Sequence, residues 1–324
     1  MSSRKGAPLP AFQHRGKTKP AKSPLILRNV LFATDFSAAC DNAWWYAIAL
    51  ARHYHSKLFV AHVISPAVYV SVPPELLSEA RNRTRLEAGA QLAQLQRRQG
   101  GTTTLESEAL LREGDVASSL LHLVPEYDID LLVVATRGHS RLKRLLLGSV
   151  AEKLFRQAPC PVLVVPGQAR RSSDQAHGIR RIMCPTDFSP ESSAALDFAM
   201  QLARGYETQL VLVHVAVGPL LNSAEGLDRL TKSIEGRLRK LIPARHGLAF
   251  EPRVEVAFGT PAEGISRSAT EYQSDLVVVG VHSAGPTQAH QHERTAYRVI
   301  RWSQCPVLTI RTPPTSDPGT EAIR

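Results

Sequence analysis

The sequence predicts an α/β protein: two tandem, doubly wound domains, each built on a parallel sheet of five strands. Three observations carry this. The string "NVLFATDFSAACDNAWWYAIALARHY" returns later as "RIMCPTDFSPESSAALDFAMQLARGY". Short apolar runs alternate with stretches of helical periodicity, which implies βαβ crossovers. Two further strings repeat near the end of each half, "DLLVVATRG" with "DLVVVGVHS" and "CPVLVV" with "CPVLTI". Self-similarity at a fixed long period is the mark of duplication. Asp35 and Asp187 lie 152 residues apart, as do His62 and His214. Gly114 and Gly259 lie 145 apart, as do Cys160 and Cys305, so copy two is seven residues shorter between those marks.

The elements of copy one follow in order. Arg28–Thr34 is a short apolar run ending at a turn, read as the first strand. Ser37–His53 is helical, with Ala39, Ala43, Tyr46, Ala47 and Leu50 along one face. Lys57–Val63 is the second strand, and Glu75–Gln99 a charged amphipathic helix ended by Gly100-Gly101. Thr103–Leu111 alternates as a strand and Asp115–Tyr127 is a helix. Leu131–Ala135 is continuously apolar, as a strand covered on both faces requires. Ser149–Gln157 is a helix, and Val162–Val165 closes the unit. Right-handed crossovers then give a doubly wound sheet. Ligands of such sheets sit beyond the carboxyl ends of the strands, where the strand order reverses. The loops after the first and fourth strands are therefore the ones to inspect.

With 324 residues, 43% of them hydrophobic, each half can bury its own core. The organisation expected is a basic tail over 1–24, a first domain over 25–167, a linker over 168–178, a second domain over 179–312 and a tail over 313–324. No apolar run approaches the ~20 residues of a membrane helix, and no secretory signal is evident, so a cytoplasmic protein is expected. Of the net charge of +10, the tail supplies six (Arg4, Lys5, Arg15, Lys17, Lys19, Lys22) with no acid. The tail reads as a solvated, disordered extension, and nucleic acid is not the expected partner. Cys40, Cys160, Cys184 and Cys305 form no C-x-x-C pair and read as buried free thiols.

The loop after the fourth strand runs from Ala135 to Ser149 and holds Arg137, Gly138, Arg141, Lys143, Arg144 and Gly148. Gly138 permits close backbone approach. Gly148-Ser149 opens a helix, whose free N–H groups and dipole favour an anion. These residues suit a polyphosphate, and equally suit a glycine turn, a serine cap and a solvated basic loop. Asp35 has two readings as well, ligand recognition and capping of the helix that starts near Ser37. His282, His290 and His292 make only a weak metal set, and His62 and His214 read as packed or capping residues. Neither a P-loop nor a G-x-G-x-x-G fingerprint is present, and no catalytic base or triad stands out.

The Ala135–Ser149 loop resembles the nucleotide loop of the universal stress protein family. Its ATP-binding members carry Gly, two residues, Gly, nine residues, then Gly-Ser or Gly-Thr. Gly138, nine residues and Gly148-Ser149 match, while Ala135 stands at the first glycine position. "TDFS" after strand one, "HV" at the end of strand two and "CPVL" at strand five are further family marks, each present twice. The resemblance implies ATP, with Mg2+ as a possible companion, bound in copy one. It implies Asp35 as acceptor for the adenine amino group and Ala33, Thr34 and Val63 around base and ribose. Gly138, Gly148 and Ser149 would hold the phosphates. It also implies a stress-response sensor or regulator in which the two copies form an intramolecular pseudo-dimer through their last strands, and a homodimer is a further possibility. Copy two has Ser283 at the position of Gly138 and Glu293-Arg294 at that of Gly148-Ser149, which suggests a degenerate, structural or regulatory domain. The alternatives are an interaction module that binds no nucleotide, and a slow ATPase on the same fold.

Overall fold

The computed structural model describes residues 25–99, 105–136, 147–169, 179–217, 224–281 and 289–312, with backbone alone at 289–293. The chain divides into two compact units. One holds residues 26–176 together with the segment from 279 onward; the other centres on residues 177–278.

In the first unit the strands are β1 (Asn29–Ala33), β2 (Lys57–Ile64), β3 (Ser107–Glu113), β4 (Leu131–Ala135) and β5 (Val162–Val165). They alternate with helices α1 (Ala38–Tyr54), α2 (Leu77–Arg97), α3 (Val116–Glu126) and α4 (Ser149–Gln157). Their order across the sheet is β3-β2-β1-β4-β5, all parallel. The order reverses between β1 and β4, which fixes the switch point at the ends of those two strands. β4 has four buried residues in five and β5 is buried throughout, as a doubly covered sheet demands. Under the sheet, Phe32 and Trp44 are fully buried with ring centroids 5.4 Å apart.

The second unit repeats the plan with β6 (Arg181–Pro185), α5 (Pro190–Gly205), β7 (Gln209–Ala216), α6 (Ala224–Leu241), β8 (Arg253–Phe258), α7 (Pro261–Glu271) and β9 (Leu276–Val281). β6 lies between β7 and β9, and β7 pairs with β8, all parallel. The last two elements are α8 (Ala289–Trp302) and β10 (Val307–Arg311). β10 runs antiparallel to β5, in the register Val307↔Val164, Leu308↔Leu163 and Thr309↔Val162. Leu308 and Thr309 are buried there, and the Arg311 guanidinium donates to the Phe155 carbonyl at the end of α4 (2.9 Å). The open edge of β5 is thereby covered by a strand of the other sequence copy.

The duplication is also visible in backbone strain. Gly114 (φ 149°) and Gly259 (φ 125°) both occupy the region that favours glycine, each between an edge strand and the helix that follows. Two boundaries differ from the sequence reading. The helix expected from Glu75 begins at Leu77, after two short 3-10 turns at Pro66–Tyr69 and Pro74–Leu76. The third strand is shifted toward the carboxyl end of Thr103–Leu111, because its span is set by pairing with β2 from Leu58↔Ser107 to Ile64↔Glu113. Among the described residues, no helix is long and apolar enough to cross a membrane.

Candidate functional site

The ends of β1 and β4 carry most of the residues singled out by the sequence. Ala33, half-buried, closes β1 opposite Ala61. Thr34 is buried; its N–H donates to the Ala61 carbonyl and its hydroxyl accepts from the Phe36 N–H at 2.9 Å. Val63 is buried near the end of β2. Ala135 is half-buried at the end of β4, opposite Val165.

The turn after β1 is braced from several sides. Phe36 takes a positive φ of 61°, an unfavourable conformation for a bulky residue. It is held there by the Thr34 hydroxyl and by the His62 ring, whose centroid lies 4.4 Å from its own. His62 in turn donates Nδ1–H to the Thr34 carbonyl (2.8 Å), because a carbonyl oxygen only accepts. Copy two builds the same brace. The Thr186 hydroxyl accepts from Phe188, which has φ 67°, and His214 Nδ1 bonds the Thr186 carbonyl at 2.8 Å. The two histidines are thus structural ties. The 28-residue spacing from threonine to histidine, the same in both copies, was the sequence signal for the tie.

Asp35 is half-buried at the mouth of this turn. Its Oδ1 accepts from the Ser37 N–H (3.0 Å) and from the Cys40 thiol (3.1 Å). It therefore stabilises an Asx turn ahead of α1, and Ser37 is the N-cap residue itself, without a side-chain cap bond. Cys40 as a partner of Asp35 was not foreseen. Burial, and then the Asp35 carboxylate, push that thiol up to about 11. In copy two the corresponding Ser192 bonds the Thr186 hydroxyl and the Ser189 carbonyl, and Asp187 is exposed.

On the other side of the switch point, the Thr136 N–H donates to the Val165 carbonyl, and the Thr136 carbonyl accepts from the Gly148 N–H (2.8 Å). The long loop thus leaves β4 and returns to α4 at one pinned base. Gly138, Arg137, Arg141, Lys143 and Arg144 lie outside the described residues. Gly148 is the N-cap of α4 with φ −65° and ψ 146°, and Ser149 is its exposed first residue. The first-turn N–H groups of α4 have no partner within the helix and carry its positive dipole end. α4 is tied to α3 by Lys153, which donates to Asp115 and Ser118 (2.9 Å each). The bonds from Ser118 and Lys153 hold the Asp115 carboxyl well below the usual carboxylate range.

Copy two departs here in backbone as well as in sequence. α8 starts at Ala289, so Glu293-Arg294 stand more than a turn inside it, and not at its start as the sequence reading expected. N–H groups that deep in a helix are spent on helix bonds. The helix start is therefore displaced in addition to the change of residues. Ser283 and His282 lie outside the described residues, as do the side chains of His290, His292 and Glu293. Among the described residues, no group of three metal-binding side chains occurs.

The model of the universal stress protein family matches this chain twice, over residues 27–166 and 178–311. The chain belongs to the universal stress protein family. Its two universal stress protein repeats coincide with the duplicated halves of the sequence. Over 297 residues it is 27% identical to a universal stress protein of Mycolicibacterium smegmatis, covering 87% of this chain and 96% of that one. The universal stress protein YxiE of Bacillus subtilis aligns at 30% identity with 43% of this chain and 99% of its own length, the share a single repeat occupies. Among solved structures, a universal stress protein from Archaeoglobus fulgidus superposes with a TM-score of 0.63 at 20% identity, covering 87% of this chain and 98% of that chain. That likeness concerns the fold.

Proposed function

We propose that copy one binds ATP, alone or with Mg2+, at the carboxyl ends of β1 and β4, and that the chain acts as a cytoplasmic stress-response sensor or regulator. The observation that carries this reading is the reversal of strand order between β1 and β4, with Asp35 beyond one strand and the pinned start of α4 beyond the other. Asp35, at the mouth of the turn after β1, accepts from the base amino group. Ala33, Thr34 and Val63 line base and ribose. Gly138, Gly148 and Ser149 hold the phosphates. The domain limits are 25–167 and 179–312. The second domain is the structural or regulatory partner, and the pairing of β10 with β5 supports an intramolecular pseudo-dimer.

A second reading, an interaction module without nucleotide, is favoured by one observation: Ala135 adds a methyl where the family's loop begins with glycine. Mass spectrometry of gently purified, denatured protein separates the two. Co-purified adenine nucleotide, and one ATP per chain in titration calorimetry, support the first. Absence of both overturns it. Hydrolysis is expected to be slow at most, measured as phosphate release above a heat-killed control.

A further inference from the structure

We propose that a cleft between α1 and α2 of copy one, adjoining the β1 turn at Thr34, binds a small, uncharged heteroaromatic amide or lactam. The cleft has a volume of about 240 Å³. Thr34, Phe36 and Cys40 contribute to its lining, Ser37 and Asp41 face it from the start of α1, and Gln91, Gln94 and Arg98 face it from α2. Arg98 pairs with Asp41 at 3.2 Å, so the charges of the two walls cancel and a charged ligand gains little. Gln91 and Gln94 stand three residues apart and share a helix face. Each presents both a primary amide donor and an acceptor, the complement of a carboxamide or lactam edge. The half-buried Phe36 offers a ring to a flat partner. The volume lies below the roughly 300–1,000 Å³ of drug-sized sites, which points to a ligand of about ten non-hydrogen atoms.

Copy two supplies an internal contrast. The buried pairs Ala88 with Leu92 in α2 and Ile234 with Leu238 in α6 align the two helices 146 residues apart. Gln91 and Gln94 then correspond to Arg237 and Lys240. The Arg237 guanidinium lies 3.8 Å from the centroid of Phe188, the counterpart of Phe36. Copy two thus covers with its own cation a ring that copy one leaves facing the cleft. The cleft shares Thr34 with the proposed nucleotide site and reaches from there to α2.

The test uses the full-length chain, labelled with nitrogen-15 at glutamine, and nicotinamide as the probe. Saturable shifts of the Gln91 and Gln94 side-chain amides are expected, with a Kd on the order of 1 mM for so small a ligand. Gln91→Arg, which copies the second domain at an exposed position, should weaken binding at least about tenfold with the far-ultraviolet spectrum unchanged. Arg237→Gln should add a second, comparable set of shifts around Phe188. The anion nicotinate should bind less well than nicotinamide. No saturable shift up to about 10 mM, or undiminished binding in Gln91→Arg, would overturn the proposal.

Discussion

Replacing Gly148 by aspartate separates the stability of α4 from anion binding at its start. Gly148 has φ −65° and ψ 146°, a conformation open to any L-residue, so the new side chain adds no backbone strain. Aspartate is a better N-cap than glycine by a few tenths of a kcal/mol, so the melting temperature should hold or rise slightly. Its carboxylate would sit roughly 5 Å from a phosphate bound to the first-turn N–H groups. At an effective dielectric constant of about 20, that repulsion is about 3 kcal/mol per unit charge, roughly a hundredfold in affinity. Salt screening lowers the figure, but at least about a tenfold loss should survive at physiological ionic strength. Gly148→Ser is the control: it caps the helix without charge and should keep ATP affinity within about threefold of the parent. The assay is calorimetric titration with ATP at fixed magnesium, paired with thermal unfolding. An aspartate variant that is equally stable and binds ATP as the parent does would refute phosphate binding at the start of α4.

Leu308→Ala empties a buried site in the β5–β10 seam and should cost about 2–5 kcal/mol, read as a lower denaturation midpoint in urea. Thr34→Val keeps the shape but removes the acceptor for the Phe36 N–H, which should cost about 1–3 kcal/mol in the same assay. Burial raises the Cys40 and Cys160 thiols from 9.0 to about 11 and about 12, so the stability they contribute is complete below pH 9 and is lost as the pH climbs through those values. Denaturation midpoints should therefore fall above pH 9, and Cys40→Ala should flatten the decline between pH 9 and about 11.

The parts of the fold legible in the sequence were those set by local chemistry. β4 and α4 fall where the apolar run Leu131–Ala135 and the stretch from Ser149 place them, and Asp115 caps α3 through the Ser118 N–H (2.9 Å). Non-local pairing was harder to read. The span of β3 depends on its register with β2, and the start of α2 on prolines that favour 3-10 turns over a full helix. At the site, the motif residues Thr34, Asp35 and Gly148 flank the expected switch point. The Cys40–Asp35 bond was invisible because the cysteine, five residues away, serves equally well as core filling. Copy two shows the limit of reading by substitution alone. Glu293-Arg294 looked like a changed helix start, but the helix had moved upstream.

The strand that covers β5 comes late in synthesis. Thr309 bonds to the Val162 carbonyl across 147 residues of chain. At about 5–20 residues per second, a ribosome needs roughly 7–30 s to make that interval. Throughout it, copy one is complete in sequence but keeps a bare sheet edge of buried-type residues, Val162–Val165. Neighbouring nascent chains on one message would offer one another the same edge. Messages truncated before Val307 would yield products that never cover it, and these should be found preferentially in the aggregated fraction.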